Sequence, residues 1–395
     1  MGNTYRESQG CACKGLPDVP DEKVNRCADQ QKKSLVEFPL FNPAGSEKIR
    51  QEQYPEDDLP HWIEGFVDSP CGKIPRVFAA LEFRDTMGSW KARWGINRMH
   101  FFILPGMYAV GRPGDTSPVF VSANYKMSFD RLRRALSGID GWIMVLDTKG
   151  INVWCAAGKG TFGTDEIVRR LRAVKLDQIV THRNIIIPQL GAPGVAAHEV
   201  LKRSGFRVIY GPVRAVDIKD FLRSGMKATP QMRTVQFNFR DRLVLTPIEI
   251  VNNLKPLVIM ATAALILHMT GLLHVSRSIV YAFAGIFLVG CVAAPALLPF
   301  IPGRAFSVKG LFAGLVWTIL VLAAKIYYRY YDGLLNTIAL ILVLPAISSY
   351  LTMNFTGAST YTSLSGVKRE MKYAVPAMIS CASAGTMLWI AGRFF

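Results

Sequence analysis

The chain has 395 residues, 50% hydrophobic and only 19% charged, with a formal net charge of +17. Soluble domains carry nearer a quarter charged residues, so an ordinary water-soluble enzyme and a disordered chain are both disfavoured. Seven scattered cysteines are too sparse for a disulfide scaffold, which predicts a reduced, intracellular setting.

Residues 1–60 are rich in Lys, Glu, Gln, Pro and Asp and lack periodicity, so a flexible polar tail is expected there. No apolar core of a signal peptide lies in 1–35. Cys11 and Cys13, with Cys27 nearby, complete no zinc-type spacing. Residues 61–235 predict an α/β domain. RVFAALEF, MHFFIL and MYAVG read as strands with turns, and PVFVSA is a further strand. Ser128 is placed to cap a helix FDRLRRAL, with Asp130 in its first turn. WIMVLD (142–147) is a buried strand, and Thr164 is placed to cap DEIVRRLRAV. RNIIIPQL gives another strand, GVAAHEVLKRSG a helix closing at Gly205, and FRVIY a strand. This βαβ alternation predicts a Rossmann-like, parallel, three-layer sheet. Ligands of such sheets bind at the carboxyl ends of the strands. The loops around Ser122, 148–163 and 188–194 meet there.

Residues 236–255 form a juxtamembrane linker. From 256 to 395 nine basic and two acidic residues separate long uncharged runs: 256–276, 278–303, 310–324, 334–353 and 373–392. A spanning helix needs about 20 apolar residues. The third run reaches that length with Phe306–Val308 before it and a snorkelling Lys325 after it. Five transmembrane helices are expected. Arg240, Arg242, Lys255, Arg304, Lys309, Lys368, Arg369 and Lys372 flank one side; Arg277, Lys325, Arg329 and Arg393 flank the other. This bias predicts a multi-pass protein of the cytoplasmic (inner) membrane, its N-terminal domain in the cytoplasm and its C-terminus outside. Tyr327, Tyr328, Tyr330 and Tyr331 form an interfacial aromatic belt. No span carries Asp, Glu, Lys or Arg at its centre, which speaks against a transporter with an α/β regulatory domain. Cys291 and Cys381 read first as small packing residues. The basic residues of RLRRAL and VRRLRAV lack aromatic interleaving, so no nucleic-acid partner is expected.

The loop 150–164, GINVWCAAGKGTFGT, carries the chemistry. A phosphate-binding GxxxxGK[ST] fails because Val153 replaces its first glycine and Gly160 its hydroxyl. Gly158–Gly163 matches GxGxxG, but lies about ten residues past the strand, where the dinucleotide fingerprint would follow directly. Asn152 is a good N-cap for a short helix from Val153. That puts Cys155 in the first turn, near Lys159, beside the nearly bulk-free Ala156-Ala157-Gly158, where a large flat ligand could lie close to the backbone. On residues alone, Cys155 reads equally as a ligand and as a buried structural cysteine.

NVWCAAGK, inside VLDTKGINVWCAAGKGTFGT, resembles the signature of the corrinoid protein of the microbial mercury-methylation pair, itself related to the corrinoid iron–sulfur protein of the acetyl-CoA pathway. SANYKMSFDRLR, IIPQLGAPGVAAHEVLKRSGFRVIYGPVRA and the five apolar runs fit the same family, over about 105–395. Ser122 stands where that family more often has Thr, and the 1–60 tail has no place in the pattern. The resemblance implies a membrane-anchored, cobalamin-dependent methyltransferase of anaerobic metabolism. Its cobalamin would be held base-off, with Cys155 sulfur as lower axial ligand to cobalt. Asn152, Val153, Trp154, Cys155, Ala156, Ala157, Gly158 and Lys159 would form the cap under the corrin ring, with Ser122, Gln189 and Leu190 near its edge. The methyl group would pass from cobalt to Hg(II), giving methylmercury. A ferredoxin-like protein with iron–sulfur clusters would supply electrons, and the methyl donor stays unknown. The competing reading is a corrinoid methyl carrier of one-carbon metabolism with mercury as incidental acceptor.

Overall fold

The computed structural model describes Tyr54 and residues 58–271, 276–330, 333–358 and 364–392. The expected tail, with Cys11, Cys13 and Cys27, falls almost wholly outside them, as does Tyr331.

The front part is built on a seven-stranded sheet, order β1-β2-β3-β5-β4-β6-β7. The strands are β1 Ile63–Ser69, β2 Gly72–Val77, β3 Gly106–Val110, β4 Val119–Ala123, β5 Gly141–Leu146, β6 Asn184–Ile187 and β7 Arg207–Tyr210. Strands β4 to β7 are parallel, but β3 pairs antiparallel with β5, and β1 antiparallel with β2. The sheet is therefore mixed, which corrects the expectation of a parallel one. The cause is the short link 111–118 between β3 and β4: a parallel crossover needs a dozen or more residues, usually with a helix.

Among the described residues, six helices of six or more residues decorate this sheet: α1 Phe83–Arg93, α2 Lys126–Ala135, α3 Val153–Lys159, α4 Thr164–Ala173, α5 Ala197–Ser204 and α6 Ile218–Arg223. Alternation along the strands sends side chains to two cores. Val121, Ala123, Met144 and Leu146 meet α3, α4 and α5. Phe120, Ile143 and Val145 meet α2 and α6. The end of α5 follows the sequence, since Gly205 takes the left-handed conformation at φ 74°. Helix α2 does not: it starts at Lys126, with Tyr125 as N-cap, so Ser128 lies inside its first turn. An ion cluster sets this start. Lys126 Nζ lies 2.8 Å from Asp85 Oδ1 and from Asp130 Oδ1. Arg133 donates to Asp85 Oδ2 at 2.7 Å and Asp130 Oδ1 at 2.8 Å, and also to the carbonyls of Phe78 and Ala80. All four charges are buried, so each is compensated in place. Asp85 belongs to α1, and the cluster pins α1 to the domain.

Beyond a short turn at Phe239–Leu243 come α7 Thr246–Met269, α8 Arg277–Leu288, α9 Phe306–Tyr327, α10 Leu334–Asn354 and α11 Leu364–Ala391. Among the described residues, 5 helical segments are long and apolar enough to cross a membrane. The third run is extended to the 22 residues of α9, and α7 begins within the linker. Helices α9 and α10 touch backbone to backbone. A methyl group at Gly310 would lie 2.7 Å from Ser349 Cα, and one at Gly314 would lie 2.7 Å from Pro345 Cα. Small residues at four-residue spacing allow this approach. Two basic flanking residues also have structural work: Arg242 donates to Phe237 and Ala296 carbonyls, and Lys309 to those of Leu298 and Ile301.

Candidate functional site

The site is assembled where β4 and β5 end. Asn124 follows β4 and is buried. Its Oδ1 accepts from Thr148 N at 3.1 Å and Gly150 N at 3.0 Å. The Thr148 hydroxyl lies 2.8 Å from the same oxygen and 2.7 Å from the Ile151 carbonyl, with one proton to share between them. The loop after β5 is thereby tied to the neighbouring strand. It also turns through two consecutive left-handed residues, Lys149 at φ 58° and Gly150 at φ 69°. Non-glycine residues rarely sit there, so the surroundings must hold Lys149 in place. They do: Lys149 N and Nζ both donate to Asp147, and Asp147 N donates to Glu166 Oε1 at 2.9 Å. Burial would raise the Asp147 carboxyl, but these Lys149 contacts outweigh it and hold the pKa below the usual range.

The tied loop delivers Asn152 as the N-cap of α3. Its Oδ1 accepts from Cys155 N at 2.9 Å, so the cap fixes the residue that carries the thiol. Gly160 closes the helix at φ 80°. Inward, Val153, Ala156 and Ala157 pack into the core; outward, Trp154, Cys155, Gly158 and Lys159 are exposed. The loop Gln189–Gly194 supports α3 from below. A methyl group at Gly194 would collide with the Phe162 carbonyl oxygen and lie 3.1 Å from Ala157 Cα. One at Gly191 would reach the fully buried Phe162 ring. Thr164, expected as a helix cap, instead accepts from Ala196 N at 2.9 Å and ties α4 to the segment leading into α5.

Gly158 is the telling residue. No atom lies within 4 Å of where its Cβ would be, and its φ is not left-handed. Glycine inside a helix costs about 1 kcal/mol relative to alanine, and among the described residues no side chain or neighbouring element occupies the space. Gln189 Oε1 is buried and has no hydrogen-bond partner among the described residues. Leu190 is half-buried against the core beside it. Ser122 is placed differently. It shares the sheet face of Phe120 and Val145, opposite α3, is buried, and sits 3.3 Å from the Ala123 carbonyl oxygen. A cleft of ≈ 560 Å³ opens elsewhere, beside Trp142 and Arg183 near the amino ends of β5 and β6, and no residue of 147–163 lines it. Around Cys155 the surface is formed by the exposed Trp154, Gly158 and Lys159.

Residues 102–222 match the family model for the CO dehydrogenase/acetyl-CoA synthase delta subunit. Relatives of the same stretch include subunit gamma of the acetyl-CoA decarbonylase/synthase complex of Archaeoglobus fulgidus, 32% identical over 122 residues, covering 30% of this chain and 26% of that protein. The corrinoid/iron-sulfur protein large subunit of Moorella thermoacetica is 29% identical over 119 residues, covering 30% and 26%. Subunit gamma 2 of the complex of Methanosarcina thermophila is 33% identical over 111 residues, covering 27% and 23%. The chain spans about a quarter of the length of these relatives. Residues 102–222 are thus similar to parts of acetyl-CoA decarbonylase/synthase subunits and of a corrinoid/iron-sulfur protein. The matched stretch holds every residue of the site from Asn124 to Gly194 and ends before the apolar helices.

The sequence singled out Asn152, Cys155 and Gly158, and the structure brings them onto one short helix. Sequence reasoning missed Asn124, Thr148, Gly191 and Gly194. Asn124 lies in the segment SANYKMSFDRLR, but its partners are 24 and 26 residues away, which no local pattern signals.

Proposed function

We propose that this chain is a membrane-anchored corrinoid methyltransferase that passes a methyl group to Hg(II), giving methylmercury. The observation that carries the reading is the exposed Cys155 thiol beside Gly158, whose Cβ position is open among the described residues. A flat macrocycle fits that bare platform, and a single thiol suits a metal whose other positions come with the macrocycle. When bound, a base-off cobalamin supplies a cobalt centre that carries the methyl group, and a soft thiolate below it favours transfer to a soft acceptor.

The chain's own residues hold and orient. Cys155 would hold the metal of the group through its sulfur, and Asn152 fixes Cys155 by accepting from its backbone N–H. Trp154 and Lys159 border the ring, with Val153, Ala156 and Ala157 as the packed underside of the cap. Gln189 Oε1 accepts a hydrogen bond from the ligand's edge, beside Leu190. The buried hydroxyl of Ser122 acts indirectly, within the strand that ends at Asn124. Around this domain, 61–235, the five apolar helices of 256–395 anchor the protein in the cytoplasmic membrane, with the α/β domain inside. Among the described residues, no group of three His, Cys, Asp or Glu is placed to hold a metal ion, and we assign electron supply to a ferredoxin-like iron–sulfur partner.

A second reading, a corrinoid methyl carrier of one-carbon metabolism, is favoured by the names of the relatives. One experiment tests the role of the thiol and the transfer to Hg(II). The full chain, purified anaerobically in detergent with cobalamin and a reductant, is given Hg(II) after methylation. Wild type is expected to give a sulfur-ligated cobalt spectrum and methylmercury. Cys155→Ala is expected to lose both while keeping its melting temperature, and Cys155→His to keep partial activity. Methylmercury formation by Cys155→Ala at the wild-type rate would sink the axial-ligand assignment. The correct spectrum without methylmercury would refute methyl transfer to Hg(II).

A further inference from the structure

Helix α1 has a face that nothing in the described protein covers. Phe83, Met87 and Trp90 are 77%, 36% and 59% exposed. With half-buried Trp94 they fall at spacings of four, three and four, one stripe along the helix. Trp90 and Trp94 rings lie 6.3 Å apart. Arg84 and Lys91 flank the stripe on one side and Arg93 on the other. Asp85 is the helix's only acid, and it points the opposite way into the buried ion cluster. Beyond the helix, Ile96, Met99 and Phe102 continue the apolar surface, at 47% exposure or more. A soluble domain rarely leaves such a patch open.

The position of α1 points to its occupant. Gly95, directly after Trp94, lies against the start of α7: a methyl group there would be 3.3 Å from Val251 Cγ1 and 3.5 Å from Ile248 Cδ1. The outward apolar residues of α7 begin at Leu254 and continue with Val258, Ile259 and Met260. From Val251 to Pro256, where the uncharged run begins, the helix climbs about 7–8 Å. The headgroup zone on each side of a bilayer is about 5–8 Å deep. The end of α1 therefore sits at headgroup level wherever α7 enters the membrane. A short helix with a Trp-rich apolar stripe and basic flanks suits that layer.

We propose that α1 lies in the plane of the membrane, its Phe83–Met87–Trp90–Trp94 stripe in the boundary between headgroups and acyl chains, and Arg84, Lys91 and Arg93 on anionic headgroups. This rests on the membrane reading above. The ion cluster around Asp85 makes the contact rigid. The end of the same segment touches the candidate site, since a methyl group at Gly150 would lie 3.5 Å from Phe102 Cβ. Membrane contact thus sets how the Cys155 platform stands over the leaflet.

The test uses the full chain in phosphatidylcholine–phosphatidylglycerol vesicles with acyl-brominated lipids, which quench tryptophan on contact. Trp317 and Trp389 lie in α9 and α11 and report insertion. The emission lost in Trp90→Phe isolates Trp90. That difference is expected to be quenched most by bromines near the headgroup end of the chains. Exchanging Arg84 and Lys91 for Glu should weaken the quenching about twofold or more in anionic vesicles. If Trp317 and Trp389 are quenched while the Trp90 difference is not, the face belongs to a protein partner or a second copy and the inference is overturned. If no tryptophan is quenched, the membrane reading itself fails and takes this inference with it.

Discussion

Asn124→Ala offers the sharpest probe of the site, because Asn124 touches the proposed ligand nowhere and acts only by holding the loop. Its Oδ1 accepts from Thr148 N at 3.1 Å and Gly150 N at 3.0 Å. The Thr148 hydroxyl keeps the Ile151 carbonyl as an alternative partner, so that bond is discounted. Two N–H groups lose their acceptor, each costing about 1–2 kcal/mol when left unsatisfied. Order in 147–152 therefore drops by about 2–4 kcal/mol. If Cys155 can bind only from the ordered loop, cobalamin affinity should fall about 30- to 1,000-fold. Asn124→Asp keeps an acceptor for both N–H groups and should stay within about tenfold of wild type. The assay is anaerobic titration of the detergent-solubilised full chain with cobalamin, with thermal melting alongside. Binding by Asn124→Ala within about threefold of wild type would refute the idea that the clamp orders the site.

Gly194→Ala should push the Gln189–Gly194 loop off α3, because its methyl would meet the Phe162 carbonyl and Ala157; a loss of about 1–3 kcal/mol is expected, read as a lower melting temperature. Asp85 gives an acid dependence. Burial would raise its carboxyl, but hydrogen bonds and charges from Lys126 and Arg133 outweigh burial and hold it well below the usual range. A depressed folded-state pKa means stability fully present above the unfolded value of about 4 and lost as pH falls below it; melting temperature should fall from about pH 4 downward, and less steeply in Asp85→Asn, which starts about 2–3 kcal/mol weaker. Protease added to intact cells should leave 61–235 uncut, as the basic flanks of the apolar runs require, and cleavage there would reverse the proposed orientation.

Features with local causes were legible in the sequence. Asn152 as a cap, Gly205 as a helix end and the apolar runs each depend on neighbours a few residues away. Strand direction was not legible: the strand around MYAVG is apolar and buried whichever way it runs, and only the short link after it decides. The assignments of Ser128 and Thr164 as helix caps failed for a related reason. The Lys126 ammonium among buried carboxylates draws the start of α2 forward, and the Thr164 hydroxyl is claimed by Ala196 N, 32 residues on. The supports of the candidate site, Asn124 and the glycines under α3, answer to contacts made only after the chain has folded.

Gly158 separates two pressures that usually act together. Within the folded chain its missing side chain serves no neighbour, and alanine would make a better helix by about 1 kcal/mol. On the proposed reading, the position answers to a ligand and not to the fold. A survey of variants scored by folding or expression would rank the position as freely replaceable. The same survey scored by ligand uptake would rank it beside the thiol. Surface residues of this kind, cheap to the fold and dear to the function, are invisible to any inspection confined to a protein's internal contacts.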